Sequence, residues 1–144
     1  MVSAHGWFYW ALLSAVFAAM TAIFAKICLQ GVNSDFATLI RTFVILLVLS
    51  GFVYFTGKWS DPFLLGGKTW LFLSLSALAT GASWVCYFRA LKIGEASKVA
   101  PVDKFSVVLV AIFAVAFLGE RPSLREWTGI LLVAAGVIVL SLAR

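Results

Sequence analysis

The stretch PVDKFSVVLVAIFAVAFLGERPSLREWTGILLVAAGVIVL, Pro101–Leu140, decides the fold. It is two apolar runs joined by a charged elbow, Gly119-Glu120-Arg121-Pro122-Ser123. Each run approaches the roughly 20 apolar residues that cross a hydrocarbon layer about 30 Å thick. The first run carries Asp103 and Lys104 near its start, and the second carries Gly129 and Gly136 on one stripe. A hairpin this apolar has no place in a water-soluble domain. A charge at mid-bilayer costs about 2.5–3.5 kcal/mol on insertion scales, so charges kept inside a span point to function. The combination predicts a membrane protein that moves something.

Working upstream, the same pattern repeats. Apolar runs at about 7–29, 36–55 and 68–93 precede the pair at about 99–118 and 124–142. The expected fold is an all-α membrane protein with five transmembrane helices, forming a single domain over residues 1–144. The composition agrees: 63% hydrophobic and 12% charged, against about 45–50% and about 25% in globular chains. Five spans use nearly all the residues given, so no separate soluble enzyme or receptor domain is expected among them. The N-terminal run lacks a basic leading region and a small-residue cleavage site. It is expected to remain as the first span rather than be removed as a signal peptide.

The net charge of +5 does not describe a nucleic-acid surface, because the basic residues fall one or two per loop. In membrane proteins such residues set orientation or meet anionic lipid. Counting turns puts the N-terminus and loops 2–3 and 4–5 on one face, with loops 1–2 and 3–4 and the C-terminus on the other. Trp7, Trp10, Trp59, Trp70 and Trp127 fall on the first face as an aromatic belt. Lys58, Lys68, Arg121 and Arg125 on the first face oppose Lys92, Lys98 and Arg144 on the second. The bias is too small to fix one orientation, so insertion both ways is allowed.

Small details set the ends of the spans. Gly31 suits the residue after the first helix, and Ser34 or Asp35 the next N-cap. Gly94 suits the end of the third helix, and Phe63 to Gly67 a short interfacial piece. Pro101 fits only a first turn or a break, since it has no N–H and clashes with the turn before it. Ser14, Ala18, Ala22 and Ala25 form a small-residue stripe of the kind that packs membrane helices. Cys28 and Cys86 have no metal or disulfide spacing and read as buried small apolar residues.

Four ionisable residues lie one to two turns inside the second face: Lys26, Arg41, Asp103 and Lys104. Lys26 and Arg41 can snorkel to the headgroups. Asp103 is too short for that. It is expected either to cap free N–H groups near a helix start or to hold Arg41 or Lys26. Lys104 is expected to point about 100° away from Asp103 and serve another neighbour. A vestibule with this excess of positive charge attracts anions, zwitterions or carboxylates. Trp84 and Tyr87 are read either as ordinary packing or as one wall of a pocket. Gly129, Val133 and Gly136 are read either as intrachain packing or as a dimer seam. Glu120-Arg121-Pro122 is expected only to anchor its turn. His5 has no catalytic partner, and there is no phosphate loop or metal-ligand cluster, so neither an enzyme, a metal nor a cofactor is expected.

The stretch ALKIGEASKVAPVDKFSVVLVAIFAVAFLGERPSLREWTGILLVAAGVIVL resembles the end of one repeat of the EamA family, in the drug/metabolite transporter superfamily. SAVFAAMTAIFAKICLQGV and ATLIRTFVILL fit the start of the same repeat. Members of that family usually carry two inverted repeats, so this chain resembles a half-length member. The resemblance implies a multi-pass protein of the cell (inner) membrane that exports a small metabolite, with no nucleic-acid partner. The simplest completion is an antiparallel homodimer working by alternating access, with a site between inverted halves. Gly129, Ile130, Leu132, Val133, Gly136 and Val137 also resemble the dimerising helix of small multidrug exporters. The carboxylate those exporters carry in their first helix is missing here, so their coupling chemistry is not implied. Lys26, Arg41, Trp84, Tyr87, Asp103 and Lys104 are the expected cavity residues, with an amino acid or organic anion as the expected solute. The alternatives are a flippase subunit for a lipid-linked sugar, or a non-transporting accessory membrane protein.

Overall fold

In lipid every backbone N–H and C=O must be satisfied within its own segment, so long apolar runs become helices. The computed structural model describes residues 6–142. His5 and Arg144, both read above, lie outside the described residues. Five helical stretches are long and apolar enough to span a membrane: Gly6–Cys28, Ser34–Phe55, Gly67–Ile93, Ala96–Leu118 and Leu124–Leu142. Among the described residues there is no strand. The all-α architecture with five spans is therefore as expected.

We label the α-helices α1 (Gly6–Cys28), α2 (Ser34–Phe55), α3 (Gly67–Ile93), α4 (Ala96–Asp103), α5 (Ser106–Phe113) and α6 (Leu124–Leu142). The fourth span is interrupted. Pro101 sits inside α4, where it removes a ladder donor and crowds the carbonyl of Ser97. The ladder then tightens: Lys104 N–H donates to Pro101 O and Phe105 N–H to Val102 O, each at 3.0 Å. Beyond α5 the span widens into a π-helical turn, Ala114–Leu118, ended by Gly119 at φ +70°. The break that Pro101 led us to expect is present.

Several ends differ in detail from expectation. The N-cap of α2 is Asn33, whose side chain accepts from the N–H groups of Asp35 and Phe36. Neither Ser34 nor Asp35 fills that place. Gly31 has the expected positive φ of 83°, whereas Gly94 is not left-handed. Only Gly94 and Glu95 separate α3 from α4. The short interfacial piece is a 3₁₀ turn at Pro62–Leu64, capped by Asp61. Ser123 and Glu126 open α6 with reciprocal bonds: the Glu126 carboxylate accepts from Ser123 N–H and Oγ, and Ser123 Oγ faces Glu126 N–H. This is a Ser-x-x-Glu capping box, which the expectations above did not include.

The chain groups into two compact units. One is Ile23–Ile93, in which α2 packs on α3. Its tightest point is Phe88 and Leu91 on α3, both essentially inaccessible. The other holds α1 as far as Ala22 and the chain from Gly94 onward, in which α4 and α5 pack on α6. Of the small-residue stripe on α1, Ala22 and Ala25 are buried, while Ser14 and Ala18 are exposed. Cys28 and Cys86 are free thiols on exposed surface, not the buried residues expected. Most large apolar side chains are likewise exposed. Lipid solvates them as well as a protein core would, so burial is not what holds such spans together.

Candidate solute-binding cleft

Within the Ile23–Ile93 unit, α2 and α3 flank an open cleft of about 720 Å³. Helical spacing builds it. Asp35, Thr38 and Thr42 rise along one face of α2, and Ser76, Thr80, Gly81 and Trp84 along one face of α3. Leu39, Leu73, Ala77 and Val85 supply the apolar remainder. The hydroxyls settle their own protons locally. Thr38 donates to Ser34 O at 2.8 Å, Thr42 to Thr38 O at 2.8 Å, and Thr80 to Ser76 O at 2.9 Å. Threonines in apolar helices commonly bond the carbonyl one turn back.

One end of the cleft is clasped. Asp35 at the start of α2 receives two bonds from Arg89 of α3, Nε to Oδ1 at 2.9 Å and Nη2 to Oδ2 at 2.7 Å. Lys92 Nζ donates to Val32 O at 2.9 Å. Lys26 Nζ donates to Leu91 O at 2.7 Å. A cation at the carbonyl end of a helix complements its dipole. These contacts draw the end of α1, the turn after it, and the end of α3 together, which agrees with their assignment to one membrane face.

Arg41 stands on the packed side of α2. Its guanidinium lies over the Trp84 ring at 4.4 Å from the centroid and over Phe88 at 5.3 Å. Trp84 is half-buried and forms a wall of the cleft, whereas Tyr87 is half-buried outside it, set edge-on to Phe88. Lys26, Arg41, Trp84 and Tyr87 thus share one unit, but among them only Trp84 lines the cleft.

Asp103 and Lys104 fall at the break in the fourth span. Lys104 Nζ reaches back to Asp103 Oδ2 at 3.3 Å. Lys104 therefore does not serve a different neighbour, contrary to expectation. Asp103 closes α4 rather than capping a helix start. On α6, Trp127, Ile130, Ala134 and Val137 turn inward, while Gly129, Val133 and Gly136 are exposed on a separate stripe. A Cβ added at Gly129 or Gly136 would meet nothing within 4 Å. Among the described residues, neither glycine position is closely approached.

Sequence reasoning missed Asp35, Thr38, Thr42, Ser76 and Thr80 as cleft residues. The signal was hydroxyls spaced by four on two facing spans. Among the described residues no three His, Cys, Asp or Glu side chains gather as metal ligands.

A polytopic helical membrane protein with a largely apolar cleft between two spans, carrying a few hydroxyls and one carboxylate, is the class this geometry defines. The chain belongs to the EamA-like transporter family, which it matches over residues 5–142. It is 58% identical over 137 residues to a Sinorhizobium protein named "Uncharacterized transporter in cobO 3'region", covering 95% of this chain and 97% of that one. It is 25% identical over 135 residues to "Uncharacterized transporter YxxF" of Bacillus subtilis, covering 94% of this chain but 42% of the relative. The Bacillus protein is thus more than twice as long as the part matched. A weaker likeness, 29% over 69 residues, joins it to a Yersinia pestis chain named "Probable 4-amino-4-deoxy-L-arabinose-phosphoundecaprenol flippase subunit ArnE", covering 48% of this chain and 60% of that one. No solved structure matches.

Proposed function

We propose that this transporter-family chain is a secondary transporter that exports a small metabolite by alternating access, as an antiparallel homodimer in the inner membrane. The α2–α3 cleft is each copy's share of the solute path. One observation carries this reading: a row of hydroxyls and a carboxylate along a cleft between two otherwise apolar spans. Polar side chains in lipid are costly unless they face a path or a partner. Two oppositely inserted five-span copies form the inverted pair found in many secondary transporters. Lys26 and Arg41 bring positive charge to the unit that holds the cleft and Lys104 to the other unit, Trp84 walls the cleft with Tyr87 outside it, and Asp103 holds Lys104 at the break. An amino acid or organic anion is the solute class this charge suits. The stripe Gly129, Val133 and Gly136 joins the copies.

The test is transport by the purified chain in liposomes loaded with a metabolite extract, followed by mass spectrometry of the contents. Loss of one or a few solutes only when the protein is present supports the reading. Unchanged contents under every imposed gradient sink it. A second reading, a flippase subunit for a lipid-linked sugar, has one observation in its favour, the likeness to the Yersinia chain. It predicts movement of a labelled polyprenyl-phosphate sugar between leaflets, with a second, different chain present.

A further inference from the structure

We propose that the α2–α3 cleft binds a primary ammonium ion with an apolar tail, its ammonium docking on the Asp35 carboxylate in place of Arg89. The inference rests on the cleft being the solute path, and at this cleft it replaces the amino acid or organic anion named above by an amine. The argument begins with the hydroxyl protons. Thr38, Thr42 and Thr80 each donate to a carbonyl of their own helix. Their donors are spent, so they offer none to a ligand in the cleft. Asp35, ionised, is also an acceptor only, and the Ser76 hydroxyl works either way. A largely apolar cleft with a carboxylate at one end is complementary to a ligand with an apolar body and a cationic head, and an ammonium brings three donors to that carboxylate. A bare carboxylate brings none and would face Asp35 directly.

The resident cation is replaceable. The Arg89 side chain is 62% exposed and that of Asp35 47%. Two parallel bonds strengthen the pair, but its exposure leaves the carboxylate open to a competing cation. Exchanging Arg89 for a ligand ammonium leaves the carboxylate neutralised, and the ligand's tail gains burial that the arginine does not. Orientation follows from Arg41. Its guanidinium already occupies the Trp84 ring, so a second cation is disfavoured there and the tail takes that end. Trp84 precedes Arg89 by five residues, about 7.5 Å of helix at ~1.5 Å per residue. That span accepts an arylalkyl chain. The cleft volume, about 720 Å³, is in the range of small-molecule sites.

The probes are 2-phenylethylamine, its N-acetyl derivative and 3-phenylpropionate, titrated into the full chain in lipid nanodiscs by calorimetry. The amine is expected to bind at least about tenfold more tightly than either analogue. Asp35→Asn is expected to abolish that preference, and Arg89→Gln to tighten amine binding, because the competing cation is gone. A merely structural clasp predicts the opposite for Arg89→Gln, a weakening alongside Asp35→Asn. Equal binding of the three probes, no binding of the amine, or weakening by Arg89→Gln overturns the proposal. If Asp35→Asn does not fold, the wild-type comparison and Arg89→Gln decide alone. Movement in liposomes of a solute lacking an ammonium group defeats this inference and leaves the transporter reading standing, whereas no movement of any solute defeats that reading.

Discussion

Arg41 carries the sharpest single-residue question. It lies inside a span, and its guanidinium rests on Trp84 and Phe88. A cation over an aromatic face is worth about 0.5–2 kcal/mol, more as water is excluded. Arg41→Ala is therefore expected to lower unfolding stability by about that much while the chain still inserts and purifies. Solute flux in liposomes should fall at least about tenfold if the guanidinium serves the path. Lysine keeps the charge but not the planar stacking surface. Arg41→Lys should thus recover flux if charge alone matters, and fail to if the stacked plane is what positions Trp84. Full flux by Arg41→Ala would remove Arg41 from the transport role and leave it a packing residue.

At the scale of elements, the broken fourth span invites a direct test. Pro101→Ala restores the missing donor toward Ser97 and removes the ring. Amide exchange at Lys104 and Phe105 should then slow, as the tightened turn returns to α-helical pairing. Flux should drop if the break has to flex. Unchanged exchange would mean that another feature holds the break, such as the Asp103–Lys104 pair. The break was legible beforehand because proline acts on its own helix, through chemistry visible in the sequence. The capping box at Ser123 is equally local, since its Ser-x-x-Glu spacing stands in the sequence. Asp35 was harder. From the sequence it was an N-cap candidate, since nothing local says that Arg89, 54 positions away, will take its carboxylate. The hydroxyl rows were hidden for a similar reason: Thr38 and Thr42 share a cleft with Ser76 and Thr80 only once α2 and α3 are set side by side. Lys104 was misread because a long flexible side chain can reach its neighbour despite the turn between them.

For the whole molecule, association is the question on which the transporter reading turns. The exposed stripe on α6 offers a way to alter it without disturbing the protomer. A Cβ at Gly136 meets nothing within 4 Å, and α6 packs through a different face. Glycine in a helix interior also costs about 0.8–1.0 kcal/mol relative to the best helix formers. Gly136→Leu should therefore leave the protomer at least as stable. If two copies meet along this stripe, the added side chain holds their backbones apart, because close approach at small residues is what joins such helices. The predicted outcome is loss of the dimer in nanodisc mass photometry, with unchanged helicity and reduced flux. An unchanged dimer would move the contact to another face. The relation between the copies is read separately, with a single cysteine at Lys58 in a background lacking Cys28 and Cys86. Both native thiols are free and exposed, so their removal should cost little. Labelling of about half the molecules from outside intact cells is expected for opposite insertion. All or none would fix one orientation. The completing half would then have to be a different chain, inserted the other way.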